Sequence, residues 1–365
     1  KRDWSSDVCS SDLMRLLAIS ILAMATVVGA EQASRPAARR PATAPAPAAA
    51  PATVDVTVHE GTSMSVAISP DGQTLATDMQ GSIWTMPAKG GEMKRITDVF
   101  NDARQPMWSP DGKTIVFFAY RDGGYDIWAI NPDGTNQRKL TWGAFDDREP
   151  IFSHDGTRIA FSSDRGDALG SDYNIWTLDL RTGELKQVTK EKSEEFMPTW
   201  SRDDNEIAYA SSRDNYESIW ATNVRTLGER RVHTLKGARL DAPSWGPGGQ
   251  LLYHATADNQ ARFEIDGKSV TGSENVFAFR ASWASPSEYV YVSDGKIRRR
   301  SVAGLPLQTV EFSATMTVTH PEYTRRVRDF TSTTPRRTNS LKCGVKSRSP
   351  YHATSGRCCR PIGIP

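Results

Sequence analysis

Ile68-Ser69-Pro70-Asp71-Gly72, Trp108-Ser109-Pro110-Asp111-Gly112, Phe152-Ser153-His154-Asp155-Gly156 and Trp200-Ser201-Arg202-Asp203-Asp204 are one short pattern written four times. Looser copies stand at Trp245-Gly246-Pro247-Gly248-Gly249 and Trp283-Ala284-Ser285-Pro286, so that successive lead residues are 40, 44, 48, 45 and 38 positions apart. A second mark keeps step with the first four copies: Ile83-Trp84, Ile127-Trp128, Ile175-Trp176 and Ile219-Trp220. Two marks that drift together along a chain identify an internal repeat, and a period of this length decides the architecture before any single element does.

The second unit shows what one repeat contains. Residues 105–109 read as a strand, Pro110-Asp111-Gly112 as a turn, 114–120 as a second strand, 127–130 as a third, Asn131-Pro132-Asp133-Gly134 as another turn and 138–142 as a fourth strand. Proline presets φ at the turn, aspartate caps it, and glycine accepts the positive φ that closes it. Four short antiparallel strands in about 40 to 45 residues make the blade of a β-propeller. Ile115 and Phe117 on one face and Val116 and Phe118 on the other suit a blade sandwiched between two neighbours. The expectation is an all-β propeller of about six four-stranded blades. Whether the ring is complete and closed stays open, because the fifth and sixth units lack Ile-Trp and offer only Phe263 and Ile297 in similar places.

The lead residue, the Ser-Pro-Asp-Gly turn, the charged loops Ala119-Tyr120-Arg121-Asp122-Gly123, Ser162-Ser163-Asp164-Arg165-Gly166 and Ser211-Ser212-Arg213-Asp214-Asn215, and the Ile-Trp pair together resemble the TolB-type, WD40-like propeller repeat. The resemblance covers residues 54–314. Residues 315–335 read as a connecting strand or the start of a further blade.

The ends read differently. Residues 1–13 resemble a translated sequencing-adapter segment. From Met14 a basic residue, an apolar run over 16–28 and small residues near Ala30 form a signal peptide, and the run is shorter than the roughly 20 residues a membrane span needs. Residues 31–53 are an Ala/Pro-rich tether. Residues 336–365 turn into Arg, Ser, Cys and Pro without period; a shifted reading frame accounts for that change, and the expected result is a disordered tail. All four cysteines, at 9, 343, 358 and 359, lie in these ends, so the repeat region depends on its apolar core rather than on disulfides. A net charge of +2 gives no electrostatic footprint for nucleic acid.

No catalytic constellation emerges from the sequence. The six histidines form neither His-x-His nor His-Glu-x-x-His, and no Gly-x-Ser-x-Gly elbow or phosphate-binding glycine loop is present. His154 replaces the proline of its sister turns and reads as a turn residue. The candidate ligand-binding residues are the charged groups that propeller topology gathers at one channel mouth: Asp102, Arg104, Arg121, Asp122, Asp147, Arg148, Asp164, Arg165, Arg213, Asp214 and Asp241, with Asp146, Glu194 and Glu195 beside them. The competing role for such groups is ion pairing in turns and between blades. The resemblance implies an exported, periplasmic, non-catalytic docking module, similar to the propeller that precedes the catalytic domain of secreted amidohydrolases. A TolB-like envelope-binding protein and the propeller of a prolyl-oligopeptidase-like serine hydrolase are the alternatives. The implied partners are a downstream catalytic domain or envelope proteins and peptides. Neither nucleic acid nor a membrane span is implied. The repeat region needs no cofactor; a divalent metal would belong to the downstream domain.

Overall fold

A computed structural model describes residues 52–99, 102–166, 172–303 and 307–320, all within one unit, Pro51–Pro365. The expected adapter-like segment, leader and tail, and all of the tether except Ala52 and Thr53, lie outside the described residues. Among the described residues six four-stranded antiparallel sheets are formed, each with its strands in the order of the chain; in the first the short strand Gly91–Glu92 intervenes before the last strand and joins another sheet. In the second blade Ala103–Trp108, Ile115–Arg121, Gly124–Ile130 and Arg138–Lys139 lie side by side. The first strands of the six blades are Val66–Ile68, Ala103–Trp108, Asp147–Phe152, Glu195–Trp200, Arg239–Trp245 and Ser282–Ser285. Those of the first five blades touch in succession, and the sixth touches the first.

Each part of the repeated motif has a physical task. The serine hydroxyl bonds the aspartate two residues on, at 2.5 Å for Ser69–Asp71 and 2.6 Å for Ser109–Asp111, and accepts the N–H that begins the next strand at 2.9 Å in both. The glycine closes the turn with φ of +71° at Gly72 and +69° at Gly112, a region that excludes most side chains. Asp204 fills that position in the fourth blade at φ +55° and turns its carboxylate to another use. It accepts Nδ1 and the backbone N–H of His154 and the backbone N–H of Asp155, each at 2.9 Å, tying the fourth blade to the third. A proline at position 154 would have no N–H to give.

The lead tryptophans join neighbouring blades. The indole of Trp108 donates to the carbonyl of Ala67, that of Trp200 to Ile151, and that of Trp283 to the hydroxyl of Ser244, in each case on the preceding blade. Ile83, Ile127, Ile175 and Ile219 are fully buried between sheets, and so are Phe263 and Ile297 in the blades that lack Ile-Trp. Glu264 and Arg298 follow them where tryptophan stands in the other four blades. The apolar half of the motif therefore survives while the aromatic half is replaced.

The ring is closed. Val290, Val292, Ile297 and Val310 of the sixth blade share one apolar cluster with Met64, Leu75 and Trp84 of the first, and Ile68 N donates to Ser282 Oγ at 3.0 Å across the seam. Beside the seam, Ala52–Val58 pairs antiparallel with Phe312–His320 from Val58↔Ala314 to Ala52↔His320. Phe312–His320 also pairs in parallel, through Phe312 and Ser313, with the short strand Gly91–Glu92. No helix among the described residues is long and apolar enough to cross a membrane.

Candidate functional site

The axis of the ring is built from one recurring irregularity. In the second to fifth blades, the residue three places before the lead residue has positive φ: Gln105 at +49°, Glu149 at +60°, Met197 at +54° and Ala242 at +48°. At each of these sites the pairing register shifts, which marks a β-bulge. Each of these residues precedes a proline, which has no N–H to leave unpaired on the strand edge that faces the axis.

Arg280 holds the same place in the sixth blade, and it fills the axis. Its Nη1 donates to the carbonyl of Pro198 at 2.6 Å and its Nη2 to that of Pro150 at 2.9 Å, and both reach the carbonyl of Glu149 at 3.2 Å. The guanidinium thus spans from the sixth blade to the third and fourth. Only 6% of the residue is exposed; burial lowers its pKa to about 10, against the supporting charge of Glu149. Burial likewise raises the carboxyl of Glu149, which accepts Met197 N at 2.6 Å and the hydroxyl of Ser162 at 2.8 Å.

At the lower end of the axis, where the first strands finish, a cavity of about 270 Å³ is walled by aromatic lead residues, Trp108, Phe152, Trp200, Trp245 and Trp283 among them.

The upper end is where the first strands begin and where the hairpins between second and third strands turn. Here tyrosine, acid and arginine recur together. Tyr125 donates to Asp102 at 2.9 Å, Tyr173 to Asp146 at 3.2 Å, and Tyr216 to Glu194 at 2.7 Å. Burial first, and then the facing carboxylate, raises the pKa of Tyr125 and Tyr216, so these hydroxyls keep the protons they donate. Arg104 pairs with Asp102 at 3.1 Å. Arg148 pairs with Asp146 at 2.7 Å and lies between the rings of Tyr125 and Tyr173, 4.4 and 5.4 Å from their centroids. Arg239 pairs with Asp241 at 3.0 Å and stacks 4.1 Å from the centroid of Tyr216. Burial works against ionisation of Asp146, yet Tyr125 N and the Arg148 fork hold its pKa below the usual carboxylate value.

The candidate residues read from sequence fall into three groups. Asp102, Arg104, Arg148 and Asp241 belong to this arc, which also takes in Asp146, Glu194 and Arg239. Asp147 and Arg165 form a buried ion pair, with the carboxylate fully enclosed and a second bond from Ser163 at 2.6 Å. Arg213 is shared between buried Glu195 at 2.5 Å and Glu229 at 2.7 Å, over the ring of Trp220. The remaining residues serve the loops: Arg121 pairs with Asp98 at 3.4 Å, Asp122 occupies a turn at φ +58°, Asp164 accepts Asp146 N at 2.9 Å, and Asp214 pairs with Arg231 at 3.0 Å.

Sequence reasoning missed Arg280, Arg239 and the three tyrosines. The signal for Arg280 was its register, three residues before the lead tryptophan. The tyrosines stand just before or within the Ile-Trp strand, outside the repeated turn. Among the described residues no cluster of three His, Cys, Asp or Glu side chains is placed to hold a metal ion.

A family model described as the TolB beta propeller domain matches residues 49–168 and 147–287. The protein named uncharacterized peptidase YuxL, from Bacillus subtilis strain 168, is 25% identical over 149 residues, which cover 40% of this chain and 21% of that protein. The crystal structure of TolB from Acinetobacter baumannii superposes with a TM-score of 0.52 at 16% identity, covering 69% of this chain and 65% of that one. A puromycin-hydrolyzing peptidase from Mycobacterium tuberculosis gives a TM-score of 0.52 at 12% identity, covering 69% and 45%. At these identities the two structures share a fold with the chain. The chain spans about a fifth of the curated relative and under two thirds of each of these two structures.

Proposed function

Since the chain belongs to the TolB β-propeller domain family, we propose that it is a non-catalytic binding module which recognises polar peptide segments with the upper face of its ring and serves a larger exported hydrolase. The observation that carries this reading is the arc of Arg104, Arg148 and Arg239 on its tyrosines and carboxylates. Arg148 and Arg239 keep 36% and 53% of their side-chain surface exposed while stacking and ion pairs hold them in place. Donors fixed in advance lose little entropy on meeting a peptide carboxylate or carbonyl. Export rests on the leader-like residues 14–30. The curated relative named as a peptidase favours a peptidase-type catalytic partner over an amidohydrolase, because this chain aligns with only a part of it. A TolB-like envelope-binding protein remains the second reading, supported by the family and by the shared fold.

The purified full chain tests both halves of the proposal. We expect it to retain members of a random hexapeptide pool, and Arg148→Ala or Arg239→Ala to weaken that binding about tenfold, the scale of one charge-assisted hydrogen bond. Equal binding by the variants, with circular dichroism unchanged, would remove the upper face from the proposal. Turnover of a peptide p-nitroanilide by the full chain would overturn its non-catalytic part.

A further inference from the structure

The arc on the upper face begins at a pocket of about 280 Å³ between the first and second blades. Thr62 and Ser63 line it from the segment before the first strand, Gln80 and Gly81 from the hairpin after Thr74–Met79, and Ala103 and Arg104 from the start of the second blade. Ser63, Gln80 and, against Gly81, Asp102 have φ of +55°, +52° and +37°, and left-handed backbone at residues other than glycine gathers where a site is held to shape. Asp78 lies in the wall with only 4% of the residue exposed. Among the described residues the donors that reach it are all neutral: Oδ1 accepts Ser65 N at 2.5 Å and the Ser65 hydroxyl at 2.8 Å, and Oδ2 accepts Gln105 N at 3.3 Å. A carboxylate offers about four lone-pair sites, so Oδ2 keeps acceptor capacity. Burial outweighs these bonds and raises the pKa of Asp78, as it does for a buried charge without a counter-ion. Arg104, the cation in the same wall, is paired with Asp102 at 3.1 Å. Two carboxylates and one guanidinium leave the pocket short of one positive charge.

We infer that this pocket takes the free amino terminus of the bound peptide: the α-ammonium donates to Asp78 and the first carbonyl accepts from Arg104. The inference rests on the upper face being the peptide-binding surface. An ammonium supplies the missing charge, and its three N–H donors suit an oxygen that has one long bond. In a peptide the first carbonyl stands next to the ammonium, so acid and arginine are answered together. From there the peptide runs toward the third blade, since Asp102 accepts the hydroxyl of Tyr125 and the ring of Tyr125 stacks on Arg148. A lysine side chain brings its ammonium on a stem of methylenes that needs apolar walls. Here the apolar lining residues are Met79 and Ala103, and both are buried.

Two random hexapeptide pools test the inference on the full chain, one with free amino termini and one acetylated there alone. Wild type should retain the free pool about tenfold more tightly, the scale of one charge-assisted hydrogen bond. Asp78→Asn, which keeps an oxygen for Ser65 N, should bind the two pools equally with circular dichroism unchanged. The comparison of pools on wild type needs no variant, and it decides the matter even if Asp78→Asn does not fold. Equal retention of both pools by wild type would overturn the inference, while leaving the upper face as the binding surface so long as Arg148→Ala still weakens both. A folded Asp78→Asn that discriminates as wild type does would overturn it too. Retention of neither pool would remove the upper-face reading and this inference with it. Lysine enriched among retained acetylated members would overturn the assignment to the amino terminus.

Discussion

Arg280 shows how one side chain can close an architecture made of repeats. Its forked donors satisfy three backbone carbonyls on blades that lie across the ring, and its charge faces buried Glu149. Replacing it with alanine leaves those carbonyls without the donors of Arg280 and removes the positive charge that faces Glu149, whose carboxylate keeps Met197 N and Ser162. Buried hydrogen-bonding groups left unpaired cost about 1–3 kcal/mol. Arg280→Ala is therefore expected to lower the stability from urea unfolding by about that amount, and Arg280→Lys to restore only part of it, because an ammonium cannot fork between two strands. Equal stability of wild type and Arg280→Ala would show that the spoke is ornamental.

At the scale of the element, the Ser-x-Asp turns are small electrostatic devices. Asp71, Asp111 and Asp203 are each held below the usual carboxylate pKa, first by the hydroxyl of Ser69, Ser109 or Ser201 and then by neighbouring hydrogen bonds; Asp203 reaches about 2. A depressed carboxyl binds its proton more weakly in the folded state, so its contribution is complete above the unfolded pKa near 4 and disappears as the pH falls toward 2. Side-chain carboxyl NMR should find Asp203 titrating well below 3.5, and Ser201→Ala should move it back toward 4. An unshifted Asp203 in the wild type would contradict the turn chemistry. The same turns explain why the motif is legible: the serine, aspartate and glycine each answer a local demand, and local demands leave their mark on consecutive residues. The bulge ahead of the lead residue in the second to fifth blades left a fainter one, the prolines at 106, 150, 198 and 243, which become meaningful only once the carbonyls of Pro150 and Pro198 are seen to meet Arg280.

For the whole molecule the decisive contact is the seam. Ser282 supplies the acceptor for Ile68 N where the chain's two halves meet, 214 residues apart in sequence. Ser282→Ala should cost about 1–3 kcal/mol, the penalty for a buried N–H left unpaired, and should lower the urea midpoint without changing the slope. A changed slope would mean that the seam opens on its own, ahead of the blades. Repetition determined much of this protein from sequence alone: the blade, its turns, a count of about six and the apolar sandwiching of each blade between two neighbours, because each repeat must solve the same packing problem with its neighbours. The charged loops were legible as a set, but their roles were not. Asp146 and Asp147 are adjacent in the chain, yet one joins the exposed tyrosine arc and the other is sealed against Arg165. Successive strand residues face opposite ways, and which way is outward depends on the blade next door. Closure, the Arg280 spoke and the division of the charges between core and surface were decided only by the tertiary structure, since each depends on groups that meet from distant blades.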